Sequence, residues 1–182
     1  ISAQRIVADG DAVPFPRSAM DGYAVRAAEC ASATQRQPVS LPIAGQVFAE
    51  QGESTLVSGT TLAITTGAPL PRGADAVIPY EKIERQGVAI QIYAPVAPGA
   101  SVFPPGEDLR RGDELVASGE SLRPGTLGLL AFAGITEVKV FQRPRVAVLC
   151  NGQELVDPAV TPRRGQVRKS NAVALTALVA EV

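Results

Sequence analysis

The stretch "TTLAITTGAPLPRGADAVIPYEKIERQGVAIQIYAPV", Thr60 to Val96, decides the architecture. Short apolar or alternating runs are separated by Gly and Pro, and nothing in it repeats with the period of a helix. "TTLAITTG", "DAVIPY" and "GVAIQIYAPV" each read as strands of about four to six residues. Upstream, "VSLPIAGQVFA" reads the same way. Gln86-Gly87 is placed as the hairpin turn between "KIER" and "VAIQIY". The whole span from Pro38 to Pro105 is therefore expected to close into a compact β barrel or sandwich.

Beyond this region the texture changes. "LRPGTLGLLAFAG" puts Pro124 near a helix start, Leu127, Leu130 and Ala131 on one face, and Gly134 at the stop. "TEVKVF" reads as a strand, and Val146 to Cys150 as a second, apolar on both faces as in a buried parallel sheet. Ser170-Asn171 offers an N-cap to a last helix that aligns Leu175, Leu178, Val179 and Val182. That β-loop-α order is the opening of an α/β domain. The expected fold class is thus mixed β and α/β, in several domains.

Composition narrows the function. The chain has 182 residues, 46% hydrophobic and 19% charged, enough apolar material for a core and too few charges for disorder. Aromatic content of 4% without Trp, and a net charge of -1, argue against nucleic acid as a partner. Charge is uneven, however. Val138 to Val182 holds seven Lys/Arg against three acids, so a basic end follows an acidic body, and the end suits an anion. Cys30 and Cys150 suggest neither a zinc site nor a disulfide framework. The chain has no histidine, so chemistry has to run on carboxylates, Lys, Arg, hydroxyls and backbone amides. The longest apolar run, Leu127 to Ile135, is too short for a bilayer, and no leader opens the chain. The expectation is a cytoplasmic protein with no membrane partner. An initial Ile in place of Met suggests a piece of something longer.

Candidate sites lie on rigid turns. "VPFPRSAMDGYAV", Val13 to Val25, carries Asp21-Gly22 behind Pro14 and Pro16. Taken alone, the pair reads as a turn with Gly supplying positive φ. In "TTGAPLPRGADAVIPYE", Gly67 permits close approach of a ligand or another backbone, and Pro69 and Pro71 stiffen the exit. A plain strand-to-loop corner accounts for that equally well. "PPGEDLRRGDEL" pairs acids at Glu107-Asp108 and Asp113-Glu114, and such carboxylates can hold a hard cation such as Mg²⁺. "LCNGQEL" sets Glu154 just past the carboxyl end of a strand, where open α/β sheets bind ligands. "GQVRKSN" brings Arg168, Lys169, Ser170 and Asn171 to a helix N-terminus, a reasonable anion site. No GxxxxGK or GxGxxG loop is present.

In order and spacing these motifs resemble the molybdopterin molybdenumtransferases, the MoeA family, to which the E domain of gephyrin also belongs. The resemblance runs from about Val13 to the end of the chain. It implies an elongated homodimer with a small β domain, an extended connecting domain and an α/β molybdopterin-binding domain. On that pattern residues 1–19 are a connecting segment, 20–105 the β domain, 106–142 the connecting domain, and 143–182 the start of the α/β domain, truncated.

The implied reaction inserts molybdate into adenylylated molybdopterin and releases AMP, with Mg²⁺ as the implied cofactor. The family's functional positions match Asp21 in SAMDGY, Thr66 in TGAP, Asp108 in GED and Glu154 in the motif the family writes GDEL. Asp21, Asp108 and Glu154 are the implied metal ligands; Gly152, Arg168, Ser170 and Asn171 are the implied substrate-binding residues. The chain departs from the pattern at Asn151, Gln153, Lys169 and Phe103, the last two exchanging an acid for a cation and an Arg for a ring. Three readings follow: a transferase fragment, a divergent paralogue that binds pterin or nucleotide or docks on a molybdoenzyme, and a scaffold. The matched Asp21, Thr66, Asp108 and Glu154 favour the first, the departures favour the second, and the scarcity of aromatics argues against the third.

Overall fold

The computed structural model describes residues 1–50 and 52–181. The chain divides into two compact units, Ile1–Val140 and Phe141–Val182. Among the described residues no helix is long and apolar enough to cross a membrane.

The first unit opens with β1 (Ile6–Val7), β2 (Arg17–Ser18) and β3 (Gly22–Val25). It continues through β4 (Val39–Val47), β5 (Thr61–Ile64), β6 (Ala76–Pro79), β7 (Ile83–Gln86) and β8 (Ala89–Ile92). Six of these strands form one curled sheet in the order β6-β3-β5-β4-β8-β7. All its neighbours are antiparallel except β4 and β5. The sheet curls because β4 serves two halves. Val39 to Pro42 pair with β8, Ile43 to Val47 pair with β5, and the register shifts between Ile43 and Gly45. A bulge bends its strand and raises local twist. It also explains why β4 runs for nine residues, longer than expected from the sequence.

Burial follows the curl. Tyr23, Val25, Cys30, Leu41, Ile78, Ile90 and Ile92 pack on one side of β3 and β8, while Ala24, Val47, Leu56, Leu62, Ile64 and Val77 fill the other. β3 lies between β5 and β6, and all four of its residues are buried. That is why "GYAV" carries no polar alternation. The β7–β8 hairpin is real, but its two-residue loop is Gly87-Val88, since Gln86 and Ala89 are cross-strand partners. The glycine still supplies the left-handed position, at φ 61°.

β9 (Val102–Phe103) pairs antiparallel with β2, and β10 (Glu114–Val116) with β1. Next comes α1 (Pro124–Phe132), which starts at a proline and ends in a Schellman turn. There Gly134, at φ 76°, donates its N–H to Ala131, and the Ile135 N–H reaches the Leu130 carbonyl at 2.9 Å. Leu130 packs with Ile6, Ala8, Leu109, Leu115 and Val116 in a separate small core. The expected helix face is narrower than the sequence suggests: Leu127 is 50% exposed and Ala131 is exposed too, so Leu130 alone anchors the helix. Residues 135–139 form no strand, and Val140 makes only an isolated bridge to Ser2.

The second unit contains β11 (Leu155–Val156), β12 (Val167–Arg168) and α2 (Ser170–Glu181), with β11 and β12 parallel. Val146 to Cys150 do not form the expected strand. A strand exists only through a partner's hydrogen bonds, and none among the described residues supplies them. Leu149 is accordingly 91% exposed. The apolar stripe of α2 is likewise uncovered, with Leu175, Leu178 and Val179 exposed; Val182 lies outside the described residues.

Candidate functional site

Asp21 sits at the end of a turn stitched to the "TTGAP" corner. The Ser18 N–H donates to the Ala68 carbonyl at 2.9 Å, and the Gly67 N–H donates to the Ser18 carbonyl at 2.8 Å. Inside the turn the Ser18 hydroxyl donates to the Met20 carbonyl at 2.5 Å. Gly67 makes the corner possible because the chain turns there at φ 80°. The residue after Asp21 cannot carry a side chain, for a steric reason. A Cβ on Gly22 would lie 2.1 Å from the Ile78 carbonyl oxygen, so β3 and β6 approach as closely as they do only with glycine there. Gly22 is not at positive φ as the sequence suggests: Asp21 closes the turn, and Gly22 opens the tightly packed β3, where close approach of β6 demands a glycine.

Thr66 faces Asp21 across this junction. Its backbone N–H donates to Asp21 Oδ1 at 2.7 Å and its hydroxyl donates to the same oxygen at 2.9 Å. Both bonds favour the charged form. First the Thr66 amide and then its hydroxyl hold the Asp21 carboxyl below its ordinary value, against a small opposing desolvation. Oδ2 accepts no hydrogen bond among the described residues. An exposed, anionic carboxylate fixed by one oxygen and open at the other is a ready ligand for a cation or an oriented hydrogen-bond acceptor.

Two further residues shape the junction without standing out in the sequence. Tyr80 donates its backbone N–H to the Asp21 carbonyl at 3.3 Å, and its ring meets Tyr23 edge to face, with centroids 5.2 Å apart. Burial, then Tyr23, then Asp21 push the Tyr80 hydroxyl above its ordinary value. Arg17 extends from β2 to Asp108, with Nη2 2.5 Å from Oδ2. Its guanidinium carbon lies 5.1 Å from the centroid of Phe103, its cross-strand partner. Phe103 is thus a packing partner of a cation, and the Asp108 turn is tied to the strand that leads into Asp21. The only sequence signal for Arg17 was its place directly before SAMDGY.

The residues from the second unit gather separately. Glu154, Arg168, Ser170 and Asn171 line a cavity of about 360 Å³ with Cys150, Asn151 and Lys169. The parallel β11–β12 pair builds its floor, through the Val167 N–H to the Glu154 carbonyl at 2.8 Å and the Lys169 N–H to the Val156 carbonyl at 2.9 Å. Arg168 donates through Nε to the Val160 carbonyl at 3.1 Å, while Lys169 has no ion pair among the described residues. Gly152 lies hard against Glu154: a Cβ there would meet Oε1 at 2.4 Å. Of the departures, Asn151 and Lys169 line the cavity and Gln153 does not. Two cations, the polar side chains of Asn151, Ser170 and Asn171, and one acid suit an anionic ligand.

A divalent cation makes its own demand on these groups. No three acids, thiols or imidazoles converge among the described residues. Mg²⁺ does not require such a cage; it takes one or two carboxylates and completes its shell with water and substrate phosphates. Asp21 and Asp108 fit that requirement in chemistry and in each having an oxygen without a hydrogen bond.

Comparison with known proteins gives a consistent result. Residues 1–134 match the family model described as the MoeA N-terminal region, domains I and II. Molybdopterin molybdenumtransferase 2 of Mycobacterium tuberculosis (strain CDC 1551 / Oshkosh) is 38% identical over 97% of this chain and 45% of its own length. Molybdopterin molybdenumtransferase of Synechococcus elongatus is 35% identical over 93% of the chain and 43% of its own length. A crystal structure of the molybdopterin biosynthesis MoeA protein from Pyrococcus horikoshii superposes with a TM-score of 0.88 at 41% identity, covering all of this chain and 46% of that one. The chain spans a little under half the length of these relatives. Matched over most of its length by the family model and structurally by its members, the chain belongs to the MoeA family.

Proposed function

We propose that the protein to which this chain belongs is a molybdopterin molybdenumtransferase of molybdenum cofactor biosynthesis. Its substrates are adenylylated molybdopterin and molybdate, its products the molybdenum-loaded pterin and AMP. The observation that carries the reading is the double hydrogen bond from Thr66 to one oxygen of Asp21. It sets an anionic group in place before substrate arrives, which is what a reaction governed by orientation and charge requires.

In this reading Asp21 and Asp108 would hold a Mg²⁺ ion, and Glu154 would be a metal ligand within the second unit. When bound, the cation neutralises phosphate charge on the adenylyl group. Arg168 and Lys169 attract the phosphate or the oxyanion, while Ser170 and Asn171 orient it at the start of α2. Thr66 keeps Asp21 ionised and aimed. The domain pattern of 1–19, 20–105, 106–142 and 143–182 and the homodimer belong to this proposal, as does a cytoplasmic location.

One observation favours a second reading, a paralogue that binds a pterin or nucleotide without inserting metal. Asn151 and Lys169, both departures from the family pattern, line the cavity itself. The two readings separate in one assay of the full-length parent, following molybdate-dependent AMP release beside an Asp21→Ala variant. Release that collapses in the variant supports the transferase. A folded wild type that binds the pterin nucleotide and releases no AMP makes the paralogue the correct account.

A further inference from the structure

Arg17 stands where three elements meet. It lies on β2, opposite Phe103 on β9, and forms a bridge with Pro69 beyond the Thr66 corner. Its side chain is 19% exposed, and Nε is buried with no hydrogen-bond partner among the described residues. The Phe103 ring and the Asp108 carboxylate are what hold the partly buried guanidinium in place.

The turn that carries Asp108 does not need Arg17 for its shape. The Gly106 N–H donates to the Val13 carbonyl at 3.0 Å, the Ala12 N–H to the Leu109 carbonyl at 3.1 Å, and the Gly112 N–H to the Ala8 carbonyl at 2.9 Å. The Arg111 N–H reaches the Asp11 carboxylate at 2.9 Å, and Leu109 is buried. With the backbone pinned by residues 8–13, the ion pair fixes the carboxylate alone. Asp108 is held by Oδ2 and its Oδ1 accepts nothing among the described residues. Asp21 is held by Oδ1 and its Oδ2 is open. Ser18, between Arg17 and Asp21, is locked to Gly67 and Ala68.

We infer that Arg17 is a positioning residue for the divalent-cation site: seated on Phe103, it holds Asp108 by one oxygen and leaves the other for the cation, as Thr66 does for Asp21. The inference rests on the transferase reading above. It assigns Phe103 a function too, as the seat of the guanidinium.

The test uses the full-length parent, with Mg²⁺ affinity measured by calorimetry without substrate and AMP release followed across a Mg²⁺ titration, for wild type, Arg17→Met, Arg17→Lys, Asp108→Asn and the Arg17→Met/Asp108→Asn double variant. Arg17→Met is expected to raise the half-activating Mg²⁺ concentration about tenfold, the scale of losing a group that orients a metal ligand. Its maximal rate at saturating Mg²⁺ stays within about threefold of wild type, because the carboxylate itself remains. Arg17→Lys, with the charge but not the fork, recovers most of the metal response. The double variant is no worse than Asp108→Asn, because Arg17 acts through that carboxylate. Should Arg17→Met fail to fold, Arg17→Gln, polar but without the ion pair, carries the test with the same expected shift, and an unchanged metal response there overturns the role. An unchanged metal response in a folded Arg17→Met beside an impaired Asp108→Asn overturns the Arg17 role alone, as do fully additive losses. A wild type without Mg²⁺-dependent release, or a fully active Asp108→Asn, overturns the underlying reading and the inference with it.

Discussion

Thr66 donates twice to a single oxygen of Asp21, once from its backbone and once from its hydroxyl. The two residues come from motifs far apart in the chain, and the bonds join them across the β3–β5 pair, where Gly22 faces Ile64. The position of Asp21 is thus set by the sheet that pairs its neighbour Gly22 with Ile64.

Thr66→Val keeps the side-chain shape and the backbone bond but removes the hydroxyl donor. The Asp21 carboxyl then moves up toward 3.8, stopping short because the amide is the larger cause. A lowered folded-state value contributes stability above the unfolded value that is lost as pH falls through the folded one, so the contribution vanishes at a higher pH in the variant. A carboxyl-carbon NMR titration of Asp21 reads this directly. At neutral pH the charge is unchanged, so loss of AMP release, about tenfold, reports aim.

Gly22→Ala forces a Cβ into the Ile78 carbonyl on the neighbouring strand. Backbone on both sides leaves little room to relax, so the expected cost is about 2–4 kcal/mol, read as a lower urea midpoint at constant slope. A variant as stable as wild type would show that β3 and β6 are not held this closely.

Cys30 is fully buried, and burial, then Glu29 and Asp75, push its thiol from 9.0 to about 11. A raised folded-state value means its stabilising contribution is complete below pH 9.0 and lost as pH rises toward about 11. Wild type should therefore lose stability across that window more steeply than Cys30→Ala, measured by urea midpoints at each pH. Parallel curves would contradict the assignment.

Lys169 has no ion pair among the described residues and lines the cavity beside Glu154. In the full-length protein, Lys169→Ala should weaken AMP binding about threefold to tenfold, with the difference shrinking at high salt. Calorimetric titration at two ionic strengths checks both the loss and its screening.

The sequence was readable where a residue's neighbours are local. Gly87, Pro124 and Gly134 mark turns and helix ends through their own backbone preferences, and each does so here, with the hairpin loop shifted by one residue. It was less readable where structure depends on a distant partner. Val146 to Cys150 have the composition of a buried strand, yet strand formation needs a neighbour's ladder and composition does not supply one. The length of β4 was hidden for a related reason, since Gly45 marks a bulge only once β5 and β8 are both paired. Within the site, the Asp21 and Thr66 motifs were visible separately, whereas Arg17 emerged only when β2 and β9 placed Phe103 beneath it.

The central claim is that Asp21 acts through its charge, held in place by Thr66. The most direct measurement is molybdate-dependent AMP release by the full-length protein with Asp21→Asn, which preserves size and one acceptor oxygen. The account predicts at least a hundredfold loss, about 3 kcal/mol in the barrier, with pterin-nucleotide binding retained. Near-wild-type release from Asp21→Asn would contradict it.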